Sequence, residues 1–397
     1  MDNVRLHLDE LRVGAPLPFD IYDAQGHSLL RCGVVIQDQD QLERLIERGA
    51  YCSAAAAAEI RRMRESAAGL LLGAQHAARP TEKVSVFALL GHARRDYAAL
   101  FDAPADDSTF AATLRGTMRA IQNACKIDGD AAIASILIAR PPRYSMRQAF
   151  NVAILSEILL KQLGAAEDER QTALAAALTM NLAILDLMDL MYSHVGPPSP
   201  EQKERVMRHP EDAAAELRRR GVSDTAWLDA VAQHHEAFDG SGYPAKRRGS
   251  EIARPAQVLA LADRYCASIT ERAHRPGTHP NIALREIFVK HGQAVDPMLA
   301  AALIREIGIY PPGAVVVLAN NELAVVVRRT LNANHPVVRS LFNPIGKKYP
   351  VAPKRLTSKP VYDIKNVAAR DKLGDIELES LWSDSQVETG EEGAAAA

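Results

Sequence analysis

Residues 234–244 read HHEAFDGSGYP, in which two adjacent histidines and an acid precede a turn rich in glycine. Imidazole nitrogens and carboxylate oxygens are the side-chain ligands of many metal ions in proteins. The Gly-x-Gly-Tyr-Pro segment predicts a tight, rigid turn with accessible backbone. The stretch therefore predicts metal ligands placed directly beside a rigid loop.

The composition around this stretch is that of an ordinary globular protein. The 397 residues are 47% hydrophobic and 24% charged, and 47 basic against 49 acidic residues give a net charge of −2. Nothing in this balance suggests a nucleic-acid partner. No signal-peptide pattern is present, and no apolar stretch approaches the roughly 20 residues of a membrane span. Four scattered cysteines predict reduced thiols. We expect a cytoplasmic protein of two or three domains without a membrane span.

Helical periodicity dominates the middle of the chain. Apolar residues recur every three or four positions, which predicts helices near 84–101, 108–126, 129–139, 146–163, 167–190, 201–219, 225–236, 254–273 and 281–306. Ser199 followed by Pro200 is a strong helix start, because serine caps the first turn and proline fits its first position. Residues 84–310 are therefore expected to form one all-α domain.

Both flanks of this domain show other patterns. Residues 1–52 predict a small β-rich unit, with strands at 19–22 and 28–30 around a turn and a helix at 39–48; residues 53–83 predict a helical linker. Residues 311–374 predict a β-hairpin extension from valine-rich runs at 314–318 and 323–327, with further edge strands at 337–338 and 361–363. The acidic tail, 375–397, is expected to be disordered. The fold class is mainly α.

Further candidate ligands lie elsewhere in the helical domain. Five side chains of suitable chemistry fall there: His209, His234, His235, Asp239 and Asp263. Asp263 follows a strongly apolar run, where an unpaired carboxylate is costly to bury, so it needs a metal or a basic partner. A capping or salt-bridge role is the alternative for Asp263. His234 and His235 are expected about 100° apart on a helix.

In these residues the sequence resembles the HD-GYP family, a branch of the HD superfamily of metal-dependent phosphohydrolases. The resemblance covers roughly 140–310 and implies an HD-type helical bundle with two or three metals that hydrolyses cyclic di-GMP. It implies metal ligation by His209, His234, His235 and Asp263, and it places Gly242, Tyr243, Pro244 and Arg272 on the ligand-binding side. Residues 1–52 resemble the accessory segment that often precedes such domains.

Four positions depart from the family's pattern: Gln148, Met180, Asn181 and Ile184. Gln148 replaces the first histidine, Met180 and Asn181 replace the His-Asp pair, and Ile184 replaces a lysine. Asn181 offers only a neutral amide where the family has a bridging carboxylate, and a thioether suits Mn²⁺ or Fe²⁺ poorly. Asp186 is not expected to compensate, because it lies about 140° away from Asn181 on the same predicted helix. We therefore expect no intact catalytic set, and either one divalent ion (Mn or Fe) at a residual site or no metal.

A basic cluster follows the Gly-Tyr-Pro turn. Lys246, Arg247 and Arg248 could form a phosphate clamp or a protein-docking patch, since arginine binds phosphate and carboxylate with two parallel hydrogen bonds. A solvated turn is the alternative. Tyr243 could stack on a guanine, although packing of the loop is favoured.

Three functions remain open at this point. The favoured hypothesis is a degenerate HD-GYP protein that acts by binding cyclic di-GMP or a signalling protein, such as one with a diguanylate-cyclase domain. The second is an active cyclic di-GMP phosphodiesterase with a reduced, atypical metal site. The third is a pure interaction scaffold, which the retention of four ligand-type residues disfavours, because buried polar groups need partners.

Overall fold

The structure is a computed structural model of the chain. It describes residues 85–102, 107–273, 277–373 and 378–382 and, among the first 56 residues, 3–5, 17, 20–34, 36, 41, 45, 49–54 and 56. The chain divides into two compact units, 1–82 and 83–397. The predicted helix 39–48, linker 53–83 and tail 375–397 lie mostly outside the described residues.

The first unit contains a four-stranded antiparallel sheet. Its strands are Asn3–Arg5 (β1), Ile21–Tyr22 (β2), Ser28–Leu30 (β3) and Tyr51–Ser53 (β4), in the order β1-β4-β2-β3. The carboxylate of Asp23 accepts hydrogen bonds from the backbone N–H groups of Gln25 and His27, which closes the β2–β3 turn. The predicted hairpin is therefore confirmed where the residues are described.

The second unit opens with a helical bundle. Its α-helices are Val86–Asp102 (α1), Asp107–Ile127 (α2), Gly129–Ile138 (α3), Tyr144–Gln162 (α4), Glu167–Thr179 (α5), Leu185–Ser193 (α6), Pro200–Arg219 (α7), Thr225–Gln233 (α8), Arg254–Ile269 (α9), Pro280–His291 (α10) and Pro297–Ile307 (α11). Ser199 and Gln202 form a reciprocal capping box at the start of α7. The predicted run of helices is thus observed, within a compact unit that also contains the C-terminal sheet.

Two of the predicted helices are wrong in extent. The segment 167–190 is two helices joined by a 3₁₀ turn, Leu182–Ile184, and the segment 281–306 is also two helices, α10 and α11. The second break has a clear cause, since Asp296 caps the backbone N–H groups of Met298 and Leu299 and starts a new helix. Apolar periodicity continues across both breaks because the residues on each side face one core.

Helix α4 is the central element of the bundle. Every residue from Tyr144 to Leu160 is buried, and the helix packs against α5 and α9. Its buried residues include polar side chains, Arg147 and Gln148 among them. Buried polar groups of this kind require partners or ligands. A functional site is therefore expected in the bundle interior next to α4.

The stretch Glu167–Ser193 corrects one expectation. By length and composition it could cross a membrane, with a mean hydropathy of 1.6 over its most apolar window, although the sequence suggested no such stretch. However, 61% of that window is buried inside the bundle. Core packing therefore accounts for its apolar character.

The chain continues into a five-stranded antiparallel sheet, in the order β8-β7-β6-β5-β9. Its strands are Val315–Leu318 (β5), Leu323–Arg328 (β6), Val337–Phe342 (β7), Lys354–Leu356 (β8) and Ile364–Ala368 (β9). The predicted hairpin is β5–β6, with Asn321 at a φ of 67° in its turn. Alternate valines of β5 and β6 face the bundle core, and the others form a core on the opposite face.

Two details of the predicted edge strands are wrong. The residues at 337–338 begin β7, which lies inside the sheet between β6 and β8. The residues at 361–363 fall in and just after a 3₁₀ turn, Pro360–Tyr362, and the strand starts only at Ile364. Pro360 favours this turn because proline cannot donate to a strand ladder.

Candidate functional site

Three histidines from two elements meet inside the bundle. His209 lies on α7, whereas His234 and His235 follow the last residue of α8. One ligand nitrogen from each ring lies within 4.8 Å of the other two. The expectation that the histidine pair lies on a helix is wrong, because α8 ends at Gln233 and the turn after it brings both rings towards His209.

The backbone fixes the orientation of two of these rings. Nδ1 of His209 donates to the carbonyl of Val206, and Nδ1 of His234 donates to the carbonyl of Val231, each at 2.6 Å. A carbonyl oxygen only accepts, so each Nδ1 carries the hydrogen and each neutral ring has its lone pair on Nε2. The two Nε2 atoms face each other at 3.0 Å. Two lone pairs at this distance repel unless a cation lies between or beside them.

A proton does not serve as that cation near neutral pH. Burial, aided by the neighbouring histidines, lowers the pKa of both His209 and His235 to about 3 and lowers the pKa of His234 as well. All three imidazoles are therefore neutral ligands at pH 7. The donor set thus fits a metal ion, held by His209, His234 and His235.

Asp263 on α9 lies outside the histidine cluster. Gln148 Nε2 donates to its carboxylate at 2.8 Å and to its backbone carbonyl at 3.0 Å. Burial raises the pKa of Asp263, while the hydrogen bond from Gln148 and the charges of Arg272 and Arg264 oppose that rise. Among the described residues, the direct hydrogen-bond partner of the Asp263 carboxylate is therefore a neutral amide and not the basic side chain expected from the sequence.

The loop after the histidines is built on Glu236. This buried carboxylate accepts from the backbone N–H groups of Ala245 at 2.7 Å and Arg247 at 3.0 Å, and so anchors the basic segment. The Tyr243 ring stacks on the His235 ring, with centroids 4.8 Å apart, as the packing interpretation favoured. Sequence analysis missed the anchoring role of Glu236, and its position between the histidines and the turn was the only signal.

Comparison with known proteins identifies the fold family. Residues 132–299 match the HD domain family. The chain is 25% identical over 255 residues to the cyclic di-GMP phosphodiesterase PA4108 of Pseudomonas aeruginosa, a match that covers 64% of this chain and 60% of the relative. It is 26% identical over 151 residues to the cyclic di-GMP phosphodiesterase response regulator RpfG of Xanthomonas campestris, which covers 37% and 39%.

A third relative acts on a different cyclic dinucleotide. This 3′3′-cGAMP-specific phosphodiesterase 3 of Vibrio cholerae is 26% identical over 180 residues, covering 45% of this chain and 39% of the relative. Residues 132–299 therefore form an HD domain, and with residues 234–244 the chain resembles the HD-GYP cyclic dinucleotide phosphodiesterases. It aligns with about 60% or less of the length of each of these three relatives.

The positions expected to hold the HD-GYP His-Asp pair lie at the break between α5 and α6. The Met180 side chain is fully buried and packs in the hydrophobic core, and Asn181 and Ile184 are also buried. The 3₁₀ turn after Asn181 packs against α7, the helix of His209. Asp186 is largely exposed and pairs with Arg205 at 3.0 Å, so it points to a surface cation.

The remaining predicted residues lie in the loop after the histidines or, for Arg272, in the segment after α9. Lys246, Arg247 and Arg248 are exposed. Asp239 is not brought to the histidines: it is exposed, and it accepts from the backbone N–H and hydroxyl of Ser241 to close the turn. Arg272 donates to the hydroxyl of Tyr144 at 2.9 Å.

Proposed function

We propose that this HD-GYP protein holds one metal ion at its three histidines and binds a cyclic dinucleotide without hydrolysing it at an appreciable rate. The proposal rests on a difference between the histidines, which are available as ligands, and Asp263, which is not. The Nε2 atoms of His209 and His234 face each other as neutral ligands, while the carboxylate of Asp263 is bonded to Gln148. A mononuclear centre is retained, and the carboxylates of a binuclear centre are missing or otherwise bonded.

The histidine cluster favours one kind of metal. Imidazole suits Fe²⁺ and Zn²⁺, whereas Mn²⁺ prefers carboxylate and water oxygens. Of the two metals expected from the resemblance, iron therefore fits His209, His234 and His235 better. Such an ion would supply a Lewis acid for a phosphoryl oxygen of the bound ligand.

Loss of hydrolysis follows from the replaced residues. Asn181 cannot balance the charge of two cations, and Met180 packs in the core, so neither position supplies a bridging carboxylate or an imidazole. Two-metal phosphodiester hydrolysis depends on a metal-activated water between the ions. We expect a rate lower by roughly 10³-fold or more than that of an intact binuclear site.

The ligand class is inferred from the relatives and from charge. Two relatives are named for cyclic di-GMP and one for 3′3′-cGAMP. The exposed basic segment Lys246–Arg248 follows the histidine turn, and Glu236 fixes its backbone. Guanidinium groups there can bind the phosphates of a cyclic dinucleotide with paired hydrogen bonds. A signalling protein with an acidic surface is the competing ligand for this exposed segment.

The decisive experiment combines metal analysis with calorimetry. Wild-type protein is expected to carry about one metal ion per chain and to bind cyclic di-GMP without forming linear product. His234→Ala should lose the metal, while His92→Ala, which alters an exposed histidine on α1, should keep it. Turnover by the wild type that His234→Ala abolishes would instead establish an active phosphodiesterase. Absence of both metal and cyclic dinucleotide binding would leave only the scaffold.

A gain-of-function variant tests the cause of the defect. The triple change Gln148→His, Met180→His and Asn181→Asp restores the ligand types of an intact centre. We expect turnover to rise at least about tenfold above wild type in the presence of Fe²⁺ or Mn²⁺. A folded triple variant that binds two metals and still has no activity would show that the replaced residues are not what prevents hydrolysis.

A further inference from the structure

A cavity lies between the helical bundle and the C-terminal sheet. Its volume is about 470 Å³, within the range of small-molecule sites. The walls come from the end of α3, the start of α4, the segment after α9 and the β5 and β9 strands. Neither the three histidines nor Asp263 line it. It is therefore separate from the candidate metal centre.

Arg147 is the unusual residue of this cavity. Its side chain is only 6% exposed, and its Nε and Nη2 atoms are buried without a hydrogen-bond partner. The guanidinium lies 5.7 Å from the ring of Tyr144 and 5.4 Å from the ring of Tyr192, which stack on each other. Ring faces attract the positive charge, but they do not accept the in-plane N–H groups. Leaving buried N–H donors of a charged group without hydrogen bonds costs free energy. A ligand that supplies hydrogen-bond acceptors to Arg147 would therefore be stabilised in this cavity.

Two further arginines line the same cavity. Arg140 and Arg370 both donate to the carbonyl of Leu137, near the C-terminus of α3. Burial, followed by the charges of Arg370 and Arg147, lowers the pKa of Arg140 to about 10, which agrees with three guanidinium groups in one place. Capping of α3 explains two of these arginines. It does not explain Arg147.

The carboxylates of the cavity do not form an ion pair with Arg147. Glu271 and Asp371 also line it, but both are exposed. Among the described residues no carboxylate lies within ion-pair distance of Arg147. His279 and the hydroxyl-bearing Thr278 complete one wall.

We propose that this arginine cavity, defined by Arg140, Arg147 and Arg370, binds the phosphoryl group of a small phosphorylated ligand. A phosphate monoester presents three terminal oxygens and up to two negative charges, which match several guanidinium forks better than a single carboxylate does. The volume exceeds what a phosphate ion alone fills, so the rest of a metabolite or mononucleotide has room beside the stacked tyrosines. Neither the three histidines nor the basic segment Lys246–Arg248, to which the cyclic dinucleotide is assigned, lines this cavity.

The test compares anions by thermal unfolding and calorimetry in the presence of EDTA, so that no metal at the histidines contributes. Inorganic phosphate, compared with chloride at equal ionic strength, should raise the unfolding temperature of the wild type by about 3 °C. Glycerol 3-phosphate and 5′-AMP, each against its unphosphorylated parent, show whether the ligand is free phosphate or a phosphate ester. Binding of either ester, but not of its parent, supports the proposal, as does phosphate alone.

Variants assign the effect to the cavity. Arg147→Met should abolish the response to phosphate while the unfolding temperature without phosphate stays equal or rises, because a buried, unbonded charge is removed. Arg147→Lys keeps the charge but not the fork, so a weakened response is expected. His234→Ala and Arg205→Met, both outside the cavity, should respond like the wild type. The proposal is overturned if phosphate does not stabilise the wild type, if Arg147→Met still responds, or if Arg147→Met lowers the unfolding temperature without phosphate, as a purely structural arginine would.

Discussion

Gly242 shows how a single residue shapes the candidate metal centre. A Cβ at this position would lie 2.3 Å from the backbone nitrogen of Ala237 and 2.5 Å from the carbonyl oxygen of His235. No side chain fits there without moving the backbone that positions the histidines. The second glycine of the Gly-x-Gly pattern is thus a steric requirement of the loop.

Gly242→Ala is therefore expected to damage both stability and metal binding. We expect a loss of about 1 to 3 kcal/mol in the free energy of unfolding, because the methyl group forces backbone shifts. Gly116→Ala on α2 is the matched control, since nothing lies within 4 Å of its Cβ position and alanine favours a helix. Urea unfolding and metal content measure both effects. An unchanged metal content in Gly242→Ala would contradict the role given to the loop.

The identity of Gln148 could be interpreted from the sequence, but its hydrogen-bond partner could not. The sequence shows that a glutamine replaces an expected histidine. The loss of a metal ligand at this position follows from the chemistry of the two side chains alone. It does not show that the Gln148 amide bonds the carboxylate of Asp263, because the two residues are far apart in the chain. Only the packing of α4 against α9 brings them together.

Among the elements, the C-terminal sheet depends on one buried acid. Glu322, in the β5–β6 turn, accepts hydrogen bonds from Ser340 at 2.5 Å, Tyr349 at 2.9 Å and both Nε and Nη2 of Arg355. Burial alone would raise its pKa, but the hydrogen bonds from Arg355, Ser340 and Tyr349 outweigh it and lower the pKa to about 2. The ionised carboxylate therefore stabilises the sheet.

This network predicts a pH-dependent effect of Glu322→Gln. The folded pKa lies below the unfolded value of 4.5, so the stabilisation is fully present above pH 4.5 and disappears as the pH falls towards 2. Near pH 7 the variant should lose on the order of 3 kcal/mol, and about half of that difference should remain near pH 3. Urea unfolding of both proteins at several pH values measures the difference. A difference that does not change between pH 7 and pH 3 would argue against charge stabilisation.

At the scale of the whole molecule, a charged link attaches the sheet to the bundle. Arg328 of β6 donates to both oxygens of Asp128, at 2.6 and 2.7 Å, and the same carboxylate caps α3 through the backbone N–H of Ala131. Arg329 and Asp130 form a second pair beside it. These pairs fix the position of the sheet over α3, where it also closes the arginine cavity.

Asp128→Ala should therefore cost more than the loss of a surface ion pair. We expect a loss of about 3 kcal/mol or more, since both a helix cap and a largely buried paired charge are removed. Asp186→Ala is the control, because its pair with Arg205 is exposed and should be worth less than about 1 kcal/mol. Calorimetric unfolding compares the two variants. Equal losses would mean that the link between sheet and bundle contributes little.

The sequence by itself determined the elements, the family resemblance and the residues that are absent. Periodicity is a local property, so most helices and the β5–β6 hairpin followed from it, and residues 234–244 pointed to the family that the HD domain match supports. The replacements at positions 148, 180, 181 and 184 were likewise found from the sequence without the structure.

The tertiary structure alone decided which distant groups meet. It ended α8 before His234, turned the two Nε2 lone pairs of His209 and His234 towards each other, and paired Gln148 with Asp263. It also gathered Arg140, Arg147 and Arg370 around one cavity. These contacts join residues far apart in the chain and depend on how the helices and strands pack together. A local sequence pattern does not predict that packing. The motif that the sequence offered as half of a binuclear site thus became, in three dimensions, a cluster of three histidines, while the carboxylate of Asp263 is bonded to Gln148.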